Sequence, residues 1–259
     1  MPRKLKFFLC VCLLFATIAT PVAGYLYDNP LSFTNSTAAN YEADKLNSLG
    51  LFLGTSSGYD LWRVSTRAEG LVMLIRLMGE EAKAKECAYT HPFQDVPAWA
   101  DRYVAWAYAK GYTKGTSATT FTPNSNISSG EYITFMLRAL GYGDGATPQN
   151  AVARAVEVGL IHEGMYTLNL PFWRADMVRV SYLAMTTIEN TTKKPLFEVL
   201  IDRGAVDAEK ARTLFQPLPQ KLYSITGLRN HRLNIEASIS GDNIVISGTH
   251  AMDDLVSIV

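Results

Sequence analysis

The sequence predicts a mainly α protein made of three helix–loop–helix repeats, followed by a small α+β tail. Three observations lead there. Between residues 37 and 188, three segments show the same order of features: an amphipathic helix, a glycine, a loop carrying an aromatic, and a second helix. The second helices of the first two segments keep one register. Beyond Pro217 and Pro219 the apolar spacing changes from three-and-four to strict alternation, the period of strands.

The chain has 259 residues, of which 48% are apolar and 19% charged, enough for a sizeable core. Residues 1–24 have the layout of a secretory signal peptide. Arg3, Lys4 and Lys6 form a basic start, an apolar run extends from Phe7 to Ala19, and Val22, Ala23 and Gly24 suit a cleavage site. The run is shorter than the ~20 residues of a bilayer span, so no stable membrane span is expected after cleavage. The mature chain keeps 21 of the 24 basic residues against 24 acidic ones, and that balance argues against a nucleic-acid partner held by bulk charge. Cys10 and Cys12 leave with the signal, and Cys87 alone remains, which excludes an internal disulfide scaffold. Residues 25–36 read as a linker.

The repeats are expected at 37–80, 93–143 and 147–188. Their first helices end at Gly50, Gly111 and Gly159, each suited to the left-handed position that closes a helix, and each followed by an apolar residue that can fold back on the last turn. The second helices open at Thr66-Arg67-Ala68-Glu69, Ser128-Ser129-Gly130-Glu131 and Trp173-Arg174-Ala175-Asp176. Glu69 to Gly79 and Glu131 to Gly141 both span ten positions, and Tyr59, Phe121 and Tyr166 each stand seven residues before a helix start. The stripes Leu71, Leu74, Ile75, Met78 and Ile133, Met136, Leu137, Leu140 have helical spacing, and neither helix can bury its stripe alone, so the units must stack.

With Phe93-Gln94-Asp95-Val96-Pro97-Ala98-Trp99-Ala100 opening the second unit, Phe121-Thr122-Pro123 in its loop, and Thr66-Arg67-Ala68-Glu69 in the first, the chain resembles the S-layer homology family. The third repeat is the divergent one. The resemblance implies a pseudo-threefold bundle. It also implies an exported protein of the bacterial cell wall or S-layer, held noncovalently by a secondary cell wall polysaccharide. In the family the motif arginine helps bind a pyruvylated or otherwise acidic polymer in grooves between neighbouring repeats. The alternative is a protein–protein scaffold of the envelope that keeps the fold and has lost sugar binding.

The residues permit both a structural and a binding reading. Thr66 with Glu69, and Ser128 with Glu131, form capping boxes that account for helix initiation alone. A capping box does not ask for a cation at its second position, where the helix dipole mildly disfavours one. Arg67 and Arg174 therefore read as anion receptors, through a fork matched to a carboxylate, or as solvated surface charge. Ser129 replaces the arginine in the second unit and supplies no charge, so the groove depending on it is expected to be weak or unused. Trp62 and Trp173 lie beside the arginines and suit a sugar face; Trp99 reads as core. The polysaccharide set is thus Arg67, Arg174, Trp62, Trp173, Glu69 and Thr66. Arg76 and Arg138 read as inter-repeat bonding or a solvated face.

No enzyme, cofactor or metal is expected. Cys87 and His91 lie in a loop before Pro92 without an orienting group, His162-Glu163 lacks a second histidine at metal-binding spacing, and Asp253-Asp254 reads as solvated surface. The tail, 195–259, is expected to hold two short helices, at Leu196 to Arg203 and Ala208 to Phe215. Strands follow at Leu222 to Thr226, Leu233 to Ala237 and Ile244 to Ser247, with a turn at Ser240-Gly241-Asp242-Asn243. The tail could pack on the repeats or meet another envelope protein.

Overall fold

A computed structural model describes residues 36–55, 57–166 and 171–216, and the backbone of three strands between 233 and 258. The expected signal peptide, most of the linker and the Leu222 to Thr226 strand lie outside the described residues. Those described are mainly helical: α1 Ser36–Ser48, α2 Arg67–Leu77, α3 Glu81–Glu86, α4 Asp101–Ala109, α5 Ser129–Ala139, α6 Ala151–Glu157, α7 Arg174–Ala184, α8 Leu196–Asp202 and α9 Ala208–Phe215. No helix among them is long and apolar enough to cross a membrane. Of the nine, α3 was not foreseen.

Helix ends follow from the residues that close them. Gly50, Gly111 and Gly159 take φ of 74°, 74° and 73°. Beyond each, the next amide reaches back to a carbonyl five residues earlier: Leu51 to Leu46, Tyr112 to Ala107 and Leu160 to Ala155. This closure satisfies carbonyls that the helix leaves open, and Leu51, Tyr112 and Leu160 are buried as it forms. The starts of α2 and α5 are reciprocal capping boxes: Thr66 and Ser128 accept from the amides of Glu69 and Glu131, whose carboxylates accept from the cap amides. At α7 the indole of Trp173 offers no acceptor, and only the return half remains, from Trp173 N–H to Asp176.

The three eleven-residue helices α2, α5 and α7 pack against one another at the centre. Leu71, Leu74, Ile75 and Met78 of α2, and Ile133, Met136, Leu137 and Leu140 of α5, are almost wholly buried, each contributing about 1.5–3 kcal/mol. The other helices follow a cyclic rule: α1 lies on α7, α4 on α2 and α6 on α5. Each first helix therefore covers the second helix of the preceding segment, and α1 covers that of the last.

Residues after α7 close one end of the bundle. Asn190 donates from its backbone to Leu140 O and from its side chain to Gly141 O, while Tyr142 hydroxyl donates to Ile188 O. Phe215 of α9 stacks between Tyr182 and Phe197. The sequence placed α8 and α9 with the tail; they pack with the helical unit, and the division between compact units falls after Phe215. The reason is that their apolar residues Leu196, Phe197, Val199, Leu200, Ala211 and Phe215 are buried there. In the second unit, β1 Leu233–Ser240, β2 Asn243–His250 and β3 Leu255–Ile258 form an antiparallel sheet in the order β1-β2-β3. Ser240 pairs with Asn243 across the expected turn.

Candidate functional site

The loop before each second helix carries the polar residues of interest, and two such loops are pinned at crossings between segments. At the first crossing, between segments one and two, Arg67 N–H donates to Ser125 O and Ala68 N–H to Pro123 O. The guanidinium Nε of Arg67 donates to Phe121 O at 2.9 Å. At the second crossing, between segments three and one, Arg174 N–H donates to Arg63 O and Ala175 N–H to Leu61 O. Nε of Arg174 donates to Tyr59 O, again at 2.9 Å. The two sets match position for position. Even the backbone strain recurs: Asp60 and Thr122, each just after the loop aromatic, take φ of 52° and 55°.

The two arginines differ in what else they meet. Arg67 is 4% exposed. Its guanidinium lies 5.0 Å from the ring centre of Phe121 and 4.7 Å from that of Phe135, and donates to Glu131 Oε1 at 2.9 Å. Burial pushes its pKa down, with the Glu131 carboxylate opposing. Placed first among the anion receptors by motif, Arg67 is satisfied internally because the start of α2 is pressed into the 121–125 loop.

Arg174 is half-buried, lies 4.8 Å from the ring centre of Phe52, and donates also to Leu53 O. Among the described residues no carboxylate forms an ion pair with it. Burial, then the nearby Arg63, lower its pKa, with Glu69 and Asp60 opposing from a distance. Trp173 pairs through its backbone with Val64, so Trp62, Arg63, Thr66, Glu69, Trp173 and Arg174 gather at this crossing. Trp62 is 44% exposed and Trp173 half-buried. Glu69 accepts from Thr66 N–H and from Arg63 NH1, both at 2.8 Å. Burial raises its pKa, and those hydrogen bonds outweigh it, leaving the carboxyl below its usual range. Chemically this crossing offers a guanidinium with two neutral carbonyl partners, an exposed indole, and an acid held elsewhere. That suits an anionic ligand with an apolar face.

Arg63 was missed by sequence reasoning. Its signal was positional: it stands four residues after Tyr59, as Ser125 does after Phe121. Trp99, read as core, is 55% exposed; it sits in the turn before α4, not on the helix, so helical spacing did not govern it. Arg76 is held by Glu81 at the start of α3, just beyond its segment, and Arg138 donates to Tyr112 O and Ala146 O. At the remaining crossing Ser129 is buried, and Asp176, the acid equivalent to Glu69 and Glu131, accepts from Trp173 N–H at 2.7 Å. Cys87 Sγ contacts Arg102 O, and His91 Nδ1 accepts from Phe93 N–H; the two side chains are engaged separately.

Residues 92–133 match the S-layer homology domain family. Similar proteins include a cell surface protein of Thermoanaerobacter kivui, 31% identical over 154 residues, 56% of this chain and 20% of that protein. A middle cell wall protein of Brevibacillus brevis is 29% identical over 157 residues, 56% of this chain and 15% of its own. An endoglucanase of Bacillus sp. is 36% identical over 77 residues, 30% of this chain and 8% of its own. The chain thus spans a fifth or less of each of these relatives.

Proposed function

We propose that this chain, a cell-surface protein that carries an S-layer homology domain, holds itself to the cell wall noncovalently by binding an acidic, pyruvylated-type secondary cell wall polysaccharide. The segment-three to segment-one crossing is the binding groove. Arg174 receives the carboxylate through its fork, and Trp62 and Trp173 cover the sugar's C–H face. Thr66 and Glu69 fix the loop from which Trp62 projects. Arg67 holds the neighbouring crossing together without meeting the polymer directly. The three 37–188 segments act as one module, and the 233–258 sheet is a candidate contact for another envelope protein. The chain's role is binding, not catalysis. The observation that carries this reading is the Arg174 guanidinium, which no carboxylate bonds directly among the described residues, beside an exposed indole.

The test is co-sedimentation of the chain with purified bacterial wall, before and after acid stripping of its secondary polymers. Retention that disappears with stripping and with Arg174→Ala supports the reading. Retention unaffected by stripping refutes it. The envelope-scaffold reading gains if the chain ignores wall and instead captures wall-associated protein; the internal neutralisation of Arg67 favours that reading at one crossing.

A further inference from the structure

We infer that Arg63 is a positioning residue for anion binding: by holding the carboxylate of Glu69, it keeps that carboxylate off Arg174 and leaves the guanidinium open to an anionic sugar. The inference rests on the polysaccharide reading above.

In both, the first residue of the central helix is an arginine whose Nε holds the carbonyl of the loop aromatic in the next segment. In both, that next segment supplies a glutamate at the third helical position. At the Arg67 crossing, Glu131 divides its oxygens: Oε2 accepts from the Ser128 cap amide and Oε1 from Arg67 NH1. The arginine is thereby neutralised and the crossing closed. At the Arg174 crossing, Glu69 Oε2 accepts from both the Thr66 cap amide and Arg63 NH1, and the carboxylate turns toward Arg63. Arg63 is fixed in turn by Asp60, whose Oδ2 accepts from Nε at 2.8 Å.

The difference traces to one position. The residue four after the loop aromatic is Ser125 at the closed crossing and Arg63 at the open one. A serine cannot compete for the glutamate as a cation does. Among the described residues Arg174 hydrogen-bonds to the carbonyls of Tyr59 and Leu53; Glu69 and Asp60 favour its charge from a distance, and neither carboxylate bonds to it directly. A carboxylate on the ligand would be the direct ion-pair partner that the described residues do not supply, and a charge-assisted fork is its strongest available contact.

The prediction runs against the ordinary expectation for a surface arginine. Replacing Arg63 should release Glu69 to pair with Arg174 as Glu131 pairs with Arg67, closing the groove from inside. The experiment is calorimetric titration of the full chain with a disaccharide carrying a pyruvate ketal, beside its ketal-free counterpart. The variants are Arg63→Gln, Glu69→Gln, the double Arg63→Gln/Glu69→Gln, and Arg174→Ala. A glutamine at 69 retains the capping function.

Expected are binding of the ketal sugar by the native chain, its loss in Arg174→Ala, and weakening of at least about ten-fold in Arg63→Gln without a fall in Tm. The double variant should recover to within about three-fold of native. Binding by Arg63→Gln close to native overturns the inference. So does a loss that removing Glu69 fails to rescue, since Arg63 would then touch the sugar itself. No preference of the native chain for the ketal sugar overturns the underlying polysaccharide reading instead.

Discussion

Arg67→Ala should unfold the helical module more readily, even though Arg67 belongs to the motif that suggests sugar binding. The substitution removes three interactions together. The ion pair with Glu131 is largely buried, with side-chain exposures of 5% and 21%. Breaking a fully buried pair costs about 3–5 kcal/mol, and the partial exposure of Glu131 argues for the low end. The Phe121 carbonyl loses its guanidinium donor, a further loss of ~1 kcal/mol. The packing of the guanidinium on Phe121 and Phe135 is also lost, at about 0.5–1 kcal/mol for each ring. These terms overlap, so a net loss of about 3–4 kcal/mol is expected. For a unit of this size that corresponds to a Tm lowered by about 6–16 °C, measured by circular dichroism at 222 nm on the full chain. A double-mutant cycle with Glu131→Gln should return a coupling of at least about 1 kcal/mol. A Tm shift under about 2 °C, or additive single variants, would show that the crossing is not held by this pair.

Three further predictions follow from the same geometry. Gly79→Ala must place a Cβ 2.4 Å from that of Ala205 at φ +68°, so it should destabilise by about 2–4 kcal/mol, seen as a lower urea midpoint; a midpoint unchanged from native would contradict the close packing. Burial lifts the Asp176 carboxyl from 3.8 to about 6, against the Trp173 amide. The folded state therefore holds the proton more tightly, and stability falls as pH rises from about 4 to 6 and stays reduced above. Asp176→Asn should raise stability at pH 7.5 by about 1–3 kcal/mol and leave it unchanged near pH 4; equal gains at both pH values would rule out titration as the cause. Hydrogen bonding from Arg76 holds Glu81 down to about 2 against its burial. Its contribution is full above pH 4.5 and lost as pH falls toward 2, so Glu81→Gln should flatten acid unfolding in that window by about 1 kcal/mol after screening, and a native-like acid slope would refute it.

What was legible in the sequence was whatever local chemistry decides. Closing glycines, capping boxes and apolar stripes depend on residues within a turn of one another, and each took the conformation its spacing required. The central helices could be read from Thr66 to Gly79 and from Ser128 to Gly141 for that reason. What escaped were contacts between residues far apart in the chain. The motif presents Arg67 and Arg174 as equivalents, and their backbone contacts are indeed equivalent. Their charges are not, because one meets Glu131 across 64 residues while Arg63 diverts the acid from the other. Trp99 escaped because its place in a turn, just before the helix, frees it from the helix period. Helices α8 and α9 were set in the tail, yet their burial depends on surfaces far back in the chain, at α7, where Phe215 meets Tyr182, and at the end of α2, where Gly79 meets Leu200 and Ala205.

The cyclic packing has a mechanical consequence. With the wall attachment proposed above, flow would put tension along the backbone. Tension arriving from the side of Gln216 first meets α9, where Phe215 is wedged between Tyr182 and Phe197 and the Lys210 ammonium holds the carbonyl of Ser48 at the end of α1. Because α1 itself lies on α7, the pull is spread over the first and last parts of the module together. Peeling one helix at a time is thereby replaced by shearing several packed surfaces at once, so rupture under load should be a single abrupt event.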